Sequence, residues 1–298
     1  MSRVLVVGDA LLDVDVDGRV ERTTPDAGLP VLDVTGEVER PGGAALAAAL
    51  LAESGAAVSF VTALCADEAG RRLHGLLGPI EVLAGPGEGG TVVKTRLAGL
   101  ARVDRGDGRP GVGFGDAVAG ALRAALAGAD AVLVSDYGRG VAAEPAVRAA
   151  LATAVRAGLP VVWDPHPRGP APVRAVTVAT PNLAEARAAT HGGDAEQVGR
   201  AALRCWSAEG VAVTCGAQGA VLVEAGGAAV AVDAPRVRGG DPCGAGDAFA
   251  GGLAAALADG LARPDAVRRA VHEAARFVGR GGAGAFARRP RAAALCSG

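Results

Sequence analysis

The sequence predicts an α/β fold: a mostly parallel central sheet covered by helices on both faces, with a small β-rich lid at one edge. Three observations carry this. Short apolar runs closed by glycine alternate with helix-period segments along the 298 residues, the order that parallel βαβ units require. Half of the residues are apolar, yet the aromatics are only five Phe, two Trp and one Tyr, so the core must be built from Ala, Val and Leu. Two stretches, about 14–38 and 88–112, are polar, alternating and broken by Gly and Pro, the pattern of an exposed β excursion. With no internal repeat and no linker to divide it, the chain is expected to form one domain over 1–298, the two excursions forming the lid.

Residues 3–7 form an apolar run closed by Gly8 and read as the first buried strand. After the first excursion, the stretch PGGAALAAALLAESG from Gly42 reads as a helix with Gly55 beyond its end. Strand 57–64, helix 67–77 and strand 80–83 follow, and 91–103 reads as a single alternating stretch between the segments GPGEGG and RGDGRPG. Helix 116–126, strand 131–134, helix 144–156 and strands 160–163 and 175–179 continue the alternation. Helices 183–189 and 195–208 precede strands 211–215, 220–224 and 228–232, and helices 245–258 and 264–280 close the pattern. Ligands of such sheets lie at the carboxyl ends of the strands.

Composition excludes several functions. The net charge of −2 and the scarce aromatics argue against a nucleic-acid surface, and no apolar run reaches the length of a membrane span. Lys94 is the only lysine, so a G-x-x-x-x-G-K-[ST] phosphate loop is absent and a Schiff base could use no other amine. Cys65, Cys205, Cys215, Cys243 and Cys296 are scattered with no C-x-x-C pair, which suggests neither a disulfide framework nor a structural zinc, and fits a reducing cytoplasm. The short apolar run after Arg3 is no signal-peptide core. No metal-ligand spacing links His74, His191 and His272, which read as solvated or packing residues.

Segment 239–249, GGDPCGAGDAF, lies between a strand and a helix. Small residues at Gly244, Ala245 and Gly246 let successive N–H groups converge at a helix N-terminus, a phosphate cradle without lysine. Asp247 follows in the first turn, where its carboxylate could take a proton from a hydroxyl beside the phosphoryl group; a plain glycine turn followed by a first-turn acid has the same pattern. Asp9 and Asp13, facing the Pro41-Gly42-Gly43 turn, suggest a pocket for sugar hydroxyls, with Asp15 and Asp17 as solvated strand positions. Ser135-Asp136-Tyr137 and Trp163-Asp164-Pro165-His166 also stand at strand ends, where turn and cap roles compete with function.

Together these residues resemble the ribokinase or PfkB family of sugar kinases over essentially the whole chain: the Gly42-Gly43 turn with its helix and DPCGAGDAFAGG are similar to the two family signatures. The resemblance implies a ribokinase-like three-layer sandwich with a β lid, ATP and Mg²⁺ as cofactors, and a monovalent cation as a further one to test. It implies Asp247 as the base, the amides of Gly244, Ala245 and Gly246 as the anion hole, and Asp13, Gly42 and Gly43 as sugar contacts. Thr180-Pro181-Asn182 with Glu185 resembles an N-x-x-E element that organises Mg²⁺ and phosphates through water. Thr214, Gly216 and Gly219 resemble a nucleotide loop.

Within the family, VVGDALLD (6–13), ERTTPDAGLPV (21–31), RPGGAA (40–45), TVVKTR (91–96), SDYGRG (135–140) and ATPNLAE (179–185) resemble the bacterial D-glycero-β-D-manno-heptose 7-phosphate kinases. An adenylyltransferase half, as in the bifunctional members, is not expected. The resemblance implies ATP-dependent transfer to the anomeric hydroxyl of a heptose 7-phosphate, with Lys94 and Arg96 on the acceptor's phosphate and Asp136 at the substrate. It implies a small-molecule substrate, no nucleic-acid or membrane partner, a cytoplasmic location and a homodimer through the lid. Leu46 replaces an Asn usual in that subgroup, while His166 and Arg139 replace Lys, so another sugar, sugar phosphate or nucleoside stays open as acceptor. A non-catalytic sugar- or nucleotide-binding regulator on the same fold also stays open, and a dinucleotide-dependent oxidoreductase ranks last because no G-x-G-x-x-G follows the first strand.

Overall fold

The structure is a computed structural model that describes residues 1–190 and 192–287; His191 and Cys296 lie outside the described residues. In chain order β1 (Arg3–Gly8) leads into the long antiparallel pair β2 (Ala10–Thr23) and β3 (Pro30–Gly43), then α1 (Ala44–Glu53), β4 (Ala57–Cys65) and α2 (Glu68–Leu76). β5 (Glu81–Glu88) precedes the hairpin β6 (Val93–Leu97) and β7 (Ala101–Arg105), the short β8 (Arg109–Pro110) and α3 (Phe114–Gly128). β9 (Ala131–Ser135), α4 (Pro145–Arg156), β10 (Val161–Asp164), β11 (Val178–Ala179), α5 (Leu183–Thr190) and α6 (Ala195–Trp206) continue. The chain goes on through β12 (Gly210–Thr214), β13 (Ala220–Glu224), β14 (Val230–Val232), α7 (Ala245–Ala258), α8 (Arg263–Gly279) and α9 (Gly282–Ala287).

Ten strands form one sheet in the order β14-β13-β12-β11-β10-β9-β1-β4-β5-β8. It is parallel from β12 to β5 and antiparallel only at its edges. Both faces are covered, and strand periodicity shows it: Val4 and Val6 pack with α1, α7 and α8, while Leu5 and Val7 pack with α3, α4 and α6. Because alternate side chains enter opposite cores, the strands read as unbroken apolar runs. This is the expected ribokinase-like α/β sandwich.

A second sheet, β3-β2-β6-β7, joins the two excursions, with β2 and β6 parallel. Its limits differ from those expected. The first excursion starts at Ala10 and runs to Gly43, so Gly42 and Gly43 end a strand instead of opening the helix. Residues 88 and 109–110 belong to the large sheet through the β5–β8 pairing. The stretch 91–103 is a hairpin, turned by Ala98 and Gly99 at positive φ (45° and 76°), a turn concealed in the sequence because Ala-Gly also fits a strand. The strand expected at 175–179 shrinks to Val178–Ala179. Among the described residues no helix is long and apolar enough to cross a membrane.

Candidate active site

Helix α7 is buried on all sides from Asp247 to Leu257, as its Ala- and Leu-rich sequence requires, and packs against β9, β10 and β1 and between α1 and α8. Its N-terminus therefore stands at the carboxyl edge of the large sheet. Gly244 caps it at φ +81°, with Leu46 so close that a Cβ would lie 2.8 Å from its Cδ2. Of the three amides expected to form an anion hole, that of Ala245 already donates to the Pro242 carbonyl at 3.0 Å. The first-turn amides of Gly246 and Asp247 have no acceptor within the helix, and a Cβ on Gly246 would meet nothing within 4 Å, so this turn is open to a ligand.

The Asp247 side chain is 6% exposed. Burial pushes its carboxyl up to about 7, against the opposing hydrogen bond from Tyr137; Asp13 raises it further, while Lys94 and Arg40 favour the carboxylate. The Tyr137 hydroxyl donates to Oδ1 at 2.8 Å and Oδ2 at 3.0 Å. Tyr137 is itself held by Asp9, whose carboxylate accepts the amides of Tyr137, Arg139 and Val141, each at 3.0 Å. Asp9 is thus a clamp on the loop after β9 and not the sugar ligand suggested by its position; both of its oxygens are engaged.

Asp13 differs. On β2 it lies abreast of Arg40 on β3 and of Lys94 on β6. Arg40, 1% exposed, donates through Nη1 to Asp13 Oδ2 at 2.6 Å and through Nε to Asp15 Oδ2 at 3.0 Å. Burial opposes the Arg40 charge, but Asp13 and Asp15 outweigh it and raise its pKa. Arg96 reaches both acids at 3.5 Å, so Asp15 is an ion-pair partner and not a solvated position. Asp13 Oδ1 stays buried without a partner, beside Gly42, where a Cβ would come within 2.7 Å of the carboxyl carbon. Glycine makes the room for this carboxylate. Lys94 stands outside the ion-pair cluster, its Nζ 5.2 Å from the Tyr137 ring centre.

Two further groups border the site. Asn182 Oδ1 accepts the amides of Ala184 and Glu185, and Glu185 Oε2 accepts the Asn182 amide, so this element is a reciprocal cap on α5. Thr214 bridges to Asn182, and Gly216 and Gly219 turn the chain beside it, where a Cβ on Gly219 would collide with the Val232 carbonyl. Burial raises the Glu185 carboxyl. Asp164, at the end of β10, accepts from Thr180 Oγ1 at 2.9 Å and is raised well above its ordinary value, chiefly by burial and then by Asp247 and Glu185. Asp136 turns away from this group: Oδ1 accepts the Gly138 amide and Oδ2 lies against Gly169. Its carboxyl is pushed up to about 7 by burial. Oδ1 of Asp136 thus holds the turn after β9, while its Oδ2, like Oδ1 of Asp13, is buried without a hydrogen-bond partner.

The family described as pfkB family carbohydrate kinase matches residues 1–289. The chain belongs to that family. Among similar proteins, the bifunctional protein HldE of Streptomyces coelicolor is 43% identical over 295 residues, 95% of this chain and 61% of that protein. The bifunctional protein HldE of Paramagnetospirillum magneticum is 36% identical over 302 residues, 94% of this chain and 60% of that one. The chain thus spans about three fifths of the length of these curated relatives. Phosphofructokinase-2 from Escherichia coli in complex with potassium superposes with a TM-score of 0.73 at 17% identity, covering 94% of each chain. Arabidopsis thaliana ribokinase complexed with ribose and ATP gives 0.69 at 21% identity, covering 93% of each. At these identities the likeness is one of fold.

For a PfkB-family chain, the structure gathers Asp247, Gly246, Asp13, Gly42, Lys94 and Arg96 around the mouth of α7, with Asn182, Glu185, Thr214, Gly216 and Gly219 along the neighbouring edge. Two groups were named in the sequence only as members of strand-end clusters, without a role. Tyr137 was legible only as part of a strand-end triplet, and its reach of 110 residues to Asp247 is a tertiary fact. Asp164 had a signal, since it ends a buried strand in register with Ser135, the place where ligands of parallel sheets bind. His74 and His272 are exposed, as expected.

Proposed function

We propose that the chain transfers the γ-phosphoryl group of ATP to a sugar hydroxyl, the anomeric hydroxyl of D-glycero-D-manno-heptose 7-phosphate. The observation that carries this is the meeting of a buried carboxyl, Asp247, with the open first turn of α7 and the unpartnered oxygen of Asp13. Asp13 Oδ1 accepts a sugar hydroxyl, which aims the reacting hydroxyl at Asp247. Asp247 takes its proton as the oxygen attacks, and the Gly246 and Asp247 amides hold the charge of the phosphoryl group in transit. The four-stranded sheet acts as the lid that keeps water from the γ-phosphate, and Lys94 faces the acceptor's own phosphate. The acceptor reading rests on the strings shared with heptose 7-phosphate kinases and on the HldE relatives.

Mg²⁺ fits the donor set. Among the described residues no three His, Cys, Asp or Glu side chains converge on one point, and Mg²⁺ in kinases is held by one or two carboxylates together with water and phosphates. Asp164 and Glu185, both raised by burial and close enough for Glu185 to raise Asp164 further, are the carboxylates that gain from a cation. When bound, the ion neutralises charge on the nucleotide phosphates. Thr214, Gly216 and Gly219 border the nucleotide. The potassium bound to the Escherichia coli enzyme makes a monovalent cation worth testing. Free thiols at Cys65, Cys205, Cys215 and Cys243 support a cytoplasmic location, and exposed Val20 and Val34 on the second sheet, with Leu29 and Leu100 in its turns, support a homodimer through the lid.

A panel of sugars and sugar phosphates, with ADP release as readout, tests this. Heptose 7-phosphate should be phosphorylated in preference to the unphosphorylated heptose; activity on unphosphorylated sugars alone would remove the reading. Leu46, apolar and buried against Gly244, is the reason to include other sugar phosphates.

A further inference from the structure

The only tyrosine and the only lysine of the chain meet beside the catalytic carboxylate. Lys94 Nζ lies over the Tyr137 ring, and His166 stacks on the ring at 6.5 Å between centroids. Asp9 holds the backbone that carries the ring through the amides of Tyr137, Arg139 and Val141, and His166, against the ring, accepts the Arg168 amide on Nδ1. A side chain held at its backbone and at its ring puts its one polar atom at a set point. That point is equidistant, within 0.2 Å, from the two oxygens of Asp247 (2.8 and 3.0 Å).

We propose that Tyr137 is a positioning residue for phosphoryl transfer: its hydroxyl sets the plane of the Asp247 carboxylate, and Lys94 on β6 ties that setting to the seating of the four-stranded sheet. The proposal rests on the kinase reading above. An ionised carboxylate offers about four lone-pair sites; one donor shared between its oxygens stops it rotating and leaves the other sites for the acceptor's hydroxyl. The groups facing Asp247 do not supply that hold. Asp13 from β2 and Asp164 from β10 repel it, and Arg40 from β3 and Lys94 from β6 act on it through space without a hydrogen bond to it. Tyr137 does not compete as the base: burial and Asp247 keep its hydroxyl protonated far above its ordinary range, so it only donates.

Tyr137→Phe keeps the ring, and with it the contacts to Lys94 and His166, and removes only the hydroxyl. The variant should lose about 10- to 100-fold in kcat, the scale of a misplaced reacting group, with KM for ATP and acceptor within about 3-fold of wild type. A kcat within 2-fold of wild type, or a loss confined to KM, overturns the proposal. A second measurement needs neither acceptor nor turnover, so it separates this proposal from the acceptor reading. Wild-type protein labelled with 3-fluorotyrosine carries a single ¹⁹F resonance. That resonance should move in Asp247→Asn and in Lys94→Ala and stay in place in Arg200→Ala, a surface change on α6; an unmoved resonance in Asp247→Asn overturns the hydroxyl contact, and an unmoved one in Lys94→Ala overturns the tie to β6.

Discussion

Along the carboxyl edge of the ten-stranded sheet stand Asp9, Asp136 and Asp164, whereas the four-stranded sheet carries Arg40, Lys94 and Arg96 on the two strands that flank β2. The large sheet is buried on both faces, so its acids are dry, and each either finds donors or shifts. Asp9 takes three backbone amides, while Asp136 and Asp164 are pushed towards the neutral form. The small sheet solves the same problem with cations, setting Arg40 and Arg96 against Asp13 and Asp15 by strand register. A sheet buried on two faces can present unbalanced acid to a ligand at one edge, and a half-exposed sheet can bring the compensating charge. The site lies where the two meet.

Within the small sheet the two guanidiniums should differ most. Arg40 is 1% exposed and bonded to two acids, so Arg40→Leu leaves them only the longer contacts to Arg96 and should cost about 3–5 kcal/mol in urea unfolding. Arg96, with a third of its side chain exposed at 3.5 Å from the same acids, should cost about 1 kcal/mol or less on replacement by Ala. Equal losses in the two variants would show that the cluster is not built around Arg40. A smaller effect on stability and a larger one on function belong to Lys94, which stands outside the ion pairs. Lys94→Ala should raise the acceptor KM about tenfold or more and leave the ATP KM within about 2-fold; an unchanged acceptor KM would return Lys94 to a packing role over Tyr137.

Most of the large sheet was legible because its strands are buried on both faces and its helices have caps and glycine stops; helix α7 was read to the residue, 245–258. The small sheet was legible only as two excursions. Its pairing of β2 with β6 joins residues about eighty apart in the chain, and nothing local in either strand selects that partner. The turn at Ala98-Gly99 escaped because alternation continues across it. In the site, spacing marked Asp247, Asp13 and the glycines as candidates with a plain-turn alternative, and the resemblance to sugar kinases supplied their roles; the structure shows close approach at Gly42 and Gly244. The role of Asp9 did not, because satisfying a carboxylate with three amides from a loop 128 to 132 residues away is decided by tertiary structure. Asp136 shows a related limit: a strand-end acid reads the same whether it serves a ligand or its own turn, and here Oδ1 holds the turn while Oδ2 is without a partner.

In the proposed reaction Asp247 receives the acceptor's proton. Asp247→Asn keeps size and shape, and an amide in its place cannot accept that proton. Wild type and variant are compared for MgATP affinity by calorimetry and for sugar phosphorylation by ADP release. Asp247→Asn should bind MgATP within about 3-fold of wild type and lose at least about a thousandfold in kcat; near-normal turnover in that variant would show that Asp247 is not the base.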